Sequence, residues 1–500
     1  MPLNSTDKTG LKYFLKTALP LYQIPGRYKM TTFIDAKFDS LSTKMKEKLA
    51  TVSSITLTTD VWADTMNVIG YLGTTVHFPL NGKINSVTIG ITELHESHTA
   101  DYIGNVLMST CNEWLIPVDK IAAVVTDNAN NMRKAVCDTF GNNKQLSCFA
   151  QSLNLVADTV INNNPDLKEL VVKVKSIVTY FKQSVKAADE LRKAQPVQTP
   201  LKLIQEVSTR WNSMYYMLER FIRLLDHVSS ALIKFPNSSP MLTAFEVATI
   251  KEILKMLKFL ESASKEVSGE KYITCSKVIP MVAGLLHEFK KLEPESEIGL
   301  TMKEQLIRET EMRFGNIERN QIYSISTILD PRFKKLHFTS QLACSDAIQR
   351  VNRMLSDLNL QNNDNEKILI SNNNNDVSQK ENDGNIWNQH SILATKYNNA
   401  KRNDTLGGID MTLRHYLNQD VIPLHEDPLE YWERNRCFFP NLTTIAIRYL
   451  AIVATSVPCE RIFSEVGNIL EENCNRTKGE RVSKLLFLKS LEFSEWHLAN

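Results

Sequence analysis

Two aspartates in the first 130 residues of this 500-residue chain stand at the ends of strand-like runs. Asp60 ends the run 55–60, and Asp127 directly follows the apolar run 121–126. Carboxylates at neighbouring strand ends can share divalent metal ions, which are hard cations that prefer oxygen ligands. A third acid would complete a site for two metal ions about 4 Å apart, an arrangement used for phosphodiester chemistry. Aspartate at such a junction is also a common cap or turn residue, so the pattern alone leaves both interpretations open.

The elements around Asp60 have the pattern of strands. Residues 55–60 alternate between apolar and polar side chains, the period of two expected of a half-buried strand. Residues 68–78 are rich in β-branched and aromatic side chains, and a turn-like segment at 79–83 separates them from the run 84–94. We predict an antiparallel meander of three strands.

The period then changes to that of helices and buried strands. Apolar residues at helical spacing predict a helix over 99–115, with Thr99 as its N-cap. The elements predicted after it are a buried parallel strand at 121–126, a helix at 128–140, a short strand at 146–149 and a helix at 150–161. This order predicts an α/β layer with a mixed sheet, and places Asp60 and Asp127 where open α/β sheets carry their sites.

The rest of the chain is predicted to be helical, with one interruption. Residues 166–358 have a helical pattern throughout, most clearly at 201–225 and 245–260. Residues 359–404 are rich in Asn, Asp and Gln, include four consecutive asparagines, and predict a flexible linker. Helices resume near Leu413, and the last 75 residues are again dense in apolar positions.

Composition excludes several classes of protein. Hydrophobic residues make up 43% and charged residues 23% of the chain, so it is neither wholly disordered nor collagen-like. None of the eight cysteines has CxxC spacing, which argues against a disulfide framework and against a zinc finger. No apolar run approaches the roughly 18 to 20 residues of a membrane span, and no signal-like segment opens the sequence. We therefore expect an intracellular protein.

The charge is concentrated near the start of the chain. Residues 1–50 hold nine Lys and Arg against four acids, although the net charge of the whole chain is only +2. Tyr13, Phe14, Tyr22 and Tyr28 lie between these cations. Such a segment could contact nucleic acid, and it could equally be a solvated helix face.

The C-terminal segment resembles a known family. Residues 456–464, Ser-Val-Pro-Cys-Glu-Arg-Ile-Phe-Ser, together with 475–477 and 485–488, resemble the closing region of hAT-superfamily transposases. The successive upstream blocks of that family are similar to residues 57–64, 124–132, 148–155 and 209–213, in the same order. The resemblance covers the chain from about residue 10 to residue 491, and extends to animal proteins in which a BED-type zinc finger precedes a hAT transposase body.

The resemblance implies a fold and a division into domains. The fold would be an α/β RNase H-like domain interrupted by a large all-helical insertion, mixed α+β overall and dominated by helix. The implied parts are a basic helical segment at 1–53, the first part of the RNase H-like domain at 54–165, the insertion with its linker at 166–420, and the last part of that domain with the dimerisation region at 421–500.

The resemblance also implies a catalytic site. Asp60, Asp127 and Glu460 would be both the catalytic acids and the ligands of Mg²⁺ or Mn²⁺ in a DDE-type site, with Glu465 as the competing third acid. Arg210 and Trp211 match an Arg-Trp pair that contacts DNA in the family, where an indole can stack on an extruded base and a guanidinium can bind phosphate. An equally good interpretation makes Trp211 a helical core residue beside a snorkelling arginine.

The same resemblance predicts self-association through the C-terminal region. Five apolar residues could line an obligate interface or simply complete the core: Ile462, Phe463, Leu485, Leu486 and Phe487. The expected partners are a second copy of the chain and DNA, with neither a membrane nor a small-molecule substrate.

Two departures from the family separate the possible functions. Gln151 stands where the family has the histidine of a Cys-x-x-His motif, and glutamine can neither titrate nor supply an imidazole ligand. No Cys/His cluster with zinc-ligand spacing occurs ahead of the strands, so neither a BED-type finger nor a zinc site is predicted in this sequence. We therefore expect a transposase-derived nuclear protein that self-associates and binds DNA, with catalysis reduced or lost. The alternative is an active DDE-type transposase that cuts and joins DNA with two divalent metal ions.

Overall fold

The predicted antiparallel meander is present in the structure. The computed structural model describes residues 8–64, 69–207, 211–235, 239–269, 273–361, 386–399, 408–463 and 479–496. Strands β1 (Ile55–Asp64), β2 (Ile69–Leu80) and β3 (Lys83–Leu94) pair antiparallel in sequence order. The β2–β3 turn is Asn81-Gly82, and both residues have positive φ, as the tight turn between twisted strands requires.

Two parallel strands extend the sheet on the other side of β1. Strand β4 (Ile121–Thr126) pairs parallel to β1, and β5 (Gln145–Ser147) pairs parallel to β4. The strand order is β3-β2-β1-β4-β5, which confirms the predicted mixed sheet. The prediction that Asp60 ends its strand is wrong, because β1 continues beside β2 as far as Asp64.

Helices make up most of the chain. The predicted helix after the meander is confirmed, and the Thr99 side chain accepts a hydrogen bond from the Tyr102 N–H as its N-cap. In chain order the helices are α1 Thr9–Ala18, α2 Arg27–Thr51, α3 Ala100–Glu113, α4 Asn130–Phe140, α5 Phe149–Asn162, α6 Pro165–Gln183, α7 Val185–Lys193, α8 Trp211–Arg223, α9 Leu225–Leu232, α10 Ala244–Val267, α11 Val278–Lys291, α12 Glu297–Phe314, α13 Gln321–Leu329, α14 Gln341–Gln361, α15 Asn388–Asn399, α16 Met411–Asn418, α17 Pro428–Arg434, α18 Pro440–Leu450, α19 Gly479–Ser490 and α20 Phe493–Trp496. The fold is therefore a helix-dominated mixed α+β fold around one five-stranded sheet.

The sheet separates two hydrophobic cores. Successive residues of β4 contribute to opposite sides, with Val124 in one core and Val125 in the other, as the period of two along a strand requires. The first core packs β1, β2 and β3 against α2, α3 and α4. The second joins β4 and β5 to the long series of helices from α5 to α13. Residues 55–147 thus build the sheet, and helices from both earlier and later parts of the chain cover its two faces.

The C-terminal helix α19 covers the exposed edge of β3. The Ser483 and Ser490 hydroxyls accept hydrogen bonds from the backbone N–H groups of Ile91 and Thr88, both at 3.1 Å. Because the two serines are seven residues apart, they lie on the same side of the helix. These two backbone N–H groups at the edge of the sheet are therefore satisfied by side chains of α19, which occupies the position of a further strand.

Two segments differ from the sequence predictions. Residues 201–207 are irregular, and the helix predicted over 201–225 begins at Trp211. Within the predicted Asn-rich linker, residues 388–399 form helix α15, which packs against α11. The four consecutive asparagines, 372–375, lie outside the described residues.

Among the residues that are described, no helix is both long and apolar enough to cross a membrane.

Candidate active site and dimerisation region

The sheet brings Asp60 and Asp127 together. Thr58 is paired with Val125 in the parallel register of β1 and β4, so two more residues along each chain place Asp60 beside Asp127. The Asp60 carboxylate accepts a hydrogen bond from the Val61 N–H at 2.8 Å, and Asp127 accepts one from the Ala129 N–H at 3.2 Å. The two predicted aspartates are therefore neighbours, held by their own backbone at adjacent strands.

Glu460 reaches the same region from the far end of the chain. It lies in the helical segment 457–463, and the Gln151 amide donates to its Oε1 at 2.8 Å. The first turn of α5 is tied to the chain just before this segment, since the Phe149 N–H donates to the Ala454 carbonyl at 2.9 Å. The residue in the position of the family histidine thus contacts the predicted third acid directly.

A buried network under the sheet holds Glu460 near the aspartates. The Cys459 thiol donates to the Thr58 carbonyl at 3.1 Å, and the Thr58 hydroxyl lies 3.0 Å from Nε2 of His77. Cys459 adjoins Glu460, and Thr58 is two residues before Asp60, so the thiol links the two chain segments that carry these acids. Local sequence gave no signal of this contact, because 401 residues separate its two partners.

The electrostatics show that the three carboxyl groups share one environment. Burial raises the pKa of Asp60 to about 8, and the nearby charges of Asp127 and Glu460 raise it in the same direction. Burial also raises the pKa of Asp127, against the opposing effect of its hydrogen bond from Ala129. Burial and the two neighbouring charges therefore favour the protonated form of the Asp60 carboxyl.

The arrangement does not form a ready metal centre. Carboxylate oxygens suit Mg²⁺ and Mn²⁺ in chemical type. However, no group of three or more His, Cys, Asp or Glu side chains in the described ranges is arranged to hold a metal ion. Glu460 is engaged by Gln151, and the competing acid Glu465 lies outside the described residues. The residues therefore do not fit a bound metal ion in the conformation described.

Trp211 and Glu460 line one cleft beside this region. The cleft has a volume of about 860 Å³ and is bordered by residues of α5, α8, α10 and the 457–463 segment. The Trp211 side chain is buried, and its indole N–H donates to the Asn154 side chain at 2.9 Å. Trp211 is thus a buried core residue, as one of the two interpretations of the sequence predicted, and it also lines the cleft. Its proposed partner Arg210 lies outside the described residues, so the predicted Arg-Trp pair stays a prediction.

The residues predicted for dimerisation pack inside the chain. Ile462 joins Tyr71 and Ile91 in a small core on the outer strands. The Phe463 ring lies against Gly73, where a Cβ atom would approach it to 2.9 Å. The predicted residues Leu486 and Phe487 are buried as well, and Leu485 is partly exposed. Of the two interpretations of these side chains, completion of the core describes their surroundings in the single chain.

Comparison with known proteins identifies two regions of the chain. Residues 412–491 match the hAT family C-terminal dimerisation region. Residues 146–258 match the ZBED1 RNase-like helical domain. The first match includes Glu460 and α19, and the second includes Gln151 and Trp211, so both matched regions border the cleft.

Individual relatives extend the similarity to nearly the whole chain. Zinc finger BED domain-containing protein 4 of Homo sapiens is 24% identical over 98% of this chain and 42% of its own length. Zinc finger BED domain-containing protein 6 of Mus musculus is 23% identical over 98% of this chain and 53% of its own length. Putative AC transposase of Zea mays is 24% identical over 98% of this chain and 63% of its own length. The chain spans about half the length of the curated relatives it matches.

Together these findings show that the chain, with its carboxylate-bearing sheet and large helical body, is similar to BED zinc-finger proteins and to a transposase over nearly its whole length. Residues 412–491 are similar to the C-terminal dimerisation region of the hAT family, and the Zea mays relative is described as a putative AC transposase.

Proposed function

We propose that this chain is a transposase-derived nuclear protein that self-associates through its C-terminal region and binds DNA, with catalysis reduced or lost. Loss of catalysis is supported mainly by the hydrogen bond from Gln151 to Glu460, which engages the predicted third acid. In the described residues, the three predicted acids are also not arranged as a group that could bind a metal ion. DNA as partner and the nucleus as location are supported by relatives described as zinc finger proteins and as a transposase.

The proposed fold is an RNase H-like domain interrupted by a helical insertion. The order β3-β2-β1-β4-β5, with three antiparallel strands followed by two parallel ones, supports this proposal. So does the position of Glu460, which is near enough for its charge to raise the pKa of Asp60 although helices α4 to α18 come between Asp127 and Glu460 in the sequence. The proposed domain would consist of residues 54–165 and 421–500, which meet where α19 packs on β3.

Self-association is proposed through the exposed surface of the matched C-terminal region. Among its described residues, Phe438 is the large apolar side chain that is classed as exposed, with 42% of its surface accessible. Exposed aromatic rings are frequent centres of protein interfaces because they bury a large area at low entropic cost. Phe438 is therefore the position at which this proposal can be tested without disturbing the core.

We expect the chain to have about twice its mass of 56.9 kDa in light scattering at micromolar concentration. Phe438→Arg should shift the mass toward that of the single chain, since it places a charge in the interface. Phe245→Arg is the matched control, because Phe245 is also exposed but lies outside the matched region. A single-chain mass for the unmodified protein would contradict the self-association part of the proposal.

The second candidate function is DNA cleavage as an active DDE-type transposase. It is favoured by the contact between β1 and β4, which places two acids of the predicted triad side by side, and by the nearby charge of Glu460. Cleavage would require the three carboxylates to come together around divalent metal ions, with Glu460 released from Gln151.

A nicking assay on supercoiled DNA with Mg²⁺ or Mn²⁺ decides between the two functions. If catalysis is lost, wild type and Asp127→Asn should give the same background of nicked product, because neither holds the cations that cleavage needs. Asn keeps the size of the side chain and removes its charge, so folding is preserved as a control. Metal-dependent nicking by wild type, with a loss of roughly a hundredfold or more in Asp127→Asn, would establish the enzyme instead.

A further inference from the structure

A basic and aromatic surface near the start of the chain has no role in the site described above. Between residues 8 and 34 the sequence has five cations, Lys8, Lys12, Lys16, Arg27 and Lys29, and no acid. All five side chains are exposed. We call residues 8–34 the N-terminal basic surface.

Aromatic rings stand among these cations and are equally exposed. Helix α1 buries none of its residues, and Tyr13 and Phe14 are 75% and 64% exposed. Tyr28, at the start of α2, is 88% exposed. The Lys29 ammonium lies 5.6 Å from the centre of the Phe33 ring. Several large apolar side chains exposed within one short stretch of sequence indicate an interaction surface rather than scattered exposure.

The N-terminal basic surface is continuous with a buried part of helix α2. The second half of α2 is buried through Leu41, Met45 and Leu49, which belong to the core under the meander. Its Lys48 also forms an ion pair with Glu495 of α20 at 2.8 Å. The exposed first half of α2 and α1 therefore extend from an anchored helix next to the C-terminal region.

We propose that the N-terminal basic surface binds the phosphate backbone of DNA. This rests on the proposed function in taking DNA as the partner, and adds where this chain contacts it. The charge selects a polyanion, since cations without any acid attract phosphates over the whole segment. Lys12 and Lys16 are four residues apart and so lie on one side of α1, and Lys8 stands at the N-cap of the same helix, so the three cations can follow one strand of phosphates. The neighbouring rings offer flat faces for bases or sugars.

DNA fits the N-terminal basic surface better than a second copy of the same surface would. Two such surfaces would bring ten cations together without an acid in either segment, and like charges in contact oppose association. An anionic membrane shares the attraction for cations, and is therefore included as an arm of the test.

The test compares two triple variants by fluorescence anisotropy on a labelled DNA duplex across a series of salt concentrations. The first is Lys12→Gln, Lys16→Gln and Lys29→Gln, which changes three cations of the basic surface. The matched control is Lys251→Gln, Lys255→Gln and Lys258→Gln, three exposed lysines on one side of α10. Both variants lose the same charge, so the difference between them reports position rather than net charge.

We expect the first variant to bind the duplex roughly tenfold or more weakly, with a salt slope smaller by about three, and the control to match wild type. Equal binding by both variants would overturn the proposed surface and leave DNA binding by the chain intact. If wild type itself fails to bind, the DNA part of the proposed function fails and this surface with it. Selective loss of binding to phosphatidylserine vesicles, or of dimer mass, with duplex binding unchanged, would assign the surface to a different partner.

Discussion

Replacement of Asp330 by alanine is expected to lower the free energy of unfolding by about 3 to 5 kcal/mol, because it leaves a buried guanidinium without its counter-charge. Asp330 is fully buried and Arg332 nearly so. The Arg332 side chain donates to both Asp330 oxygens, from Nε at 2.9 Å and from Nη2 at 2.6 Å. The Ser276 hydroxyl donates to the same carboxylate at 2.6 Å, so the substitution removes the partner of several donors at once.

Urea unfolding followed by tryptophan fluorescence measures this loss. The double variant Asp330→Leu with Arg332→Met is the control, since it removes both charges and fills similar volume. It should be less destabilised than Asp330→Ala alone, because a buried pair is costly to break but contributes little over apolar packing. A loss below about 1 kcal/mol in the single variant would mean that water reaches Arg332, contrary to its burial.

The sequence predicted the elements whose signal is local. The meander follows from alternation along 55–60, from the β-branched and aromatic composition of 68–78 and from the turn-like segment 79–83, each readable within a few residues. Asp127 was placed correctly because it directly follows a short apolar run. Asp60 was placed in the right strand and at the wrong position within it, because pairing with β2 decides how far β1 extends.

Contacts across long sequence separations could not be predicted in the same way. Gln151 and Glu460 are 309 residues apart, and no period or composition connects them. Helix α15 lies in a polar segment whose composition predicts a linker, yet it is docked through a few specific contacts. One is the Trp387 indole, which donates to Glu266 at 2.8 Å. Such contacts override local propensity because they depend on the assembled fold.

The segment before α8 shows the reverse case, in which the local pattern was misleading. Its apolar spacing favours a helix, but the Gln195 side chain bonds both the N–H and the carbonyl of Leu201, at 2.9 and 3.0 Å. Pro200 directly before it removes a donor and disfavours helical geometry at the preceding residue. The backbone groups of Leu201 are therefore satisfied by the Gln195 side chain instead of by a helical turn, and those of Val207 by the Ser213 hydroxyl.

Acidification is expected to destabilise the protein strongly between pH 6.5 and pH 5. Burial lowers the pKa of His77 and His337 from 6.5 to about 3, and that of His390 to about 4. His337 and His390 also share a hydrogen bond at 2.9 Å between ring nitrogens, which requires at least one ring to be neutral. Below pH 6.5 the unfolded chain takes up protons that the folded chain does not, so stability falls with pH.

Asp60 acts in the opposite direction, in the same sense as Asp127 and Asp158, whose pKa values burial also raises. The pKa of Asp60 is raised from 3.8 to about 8, so in this range the folded chain holds a proton that the unfolded chain has lost. Its contribution to stability therefore grows as the pH falls and offsets about one histidine. Each of these groups contributes at most about 1.4 kcal/mol per pH unit, so the three histidines together outweigh Asp60 and the free energy of unfolding falls from pH 6.5 to pH 5.

Urea unfolding at pH 7, 6 and 5 tests both the loss of stability in acid expected from the histidines and the gain expected from Asp60. In wild type the free energy of unfolding should fall with pH, and His390→Leu should reduce that slope by about 1.4 kcal/mol per pH unit. Asp60→Asn should make the slope steeper by a similar amount, because it removes the only one of these four groups that gains stability in acid. A stability that is the same at pH 7 and pH 5, or a slope that Asp60→Asn leaves unchanged, would show that these side chains are hydrated in the folded protein. The two variants change the slope in opposite directions, so a general effect of substitution on stability cannot produce both results.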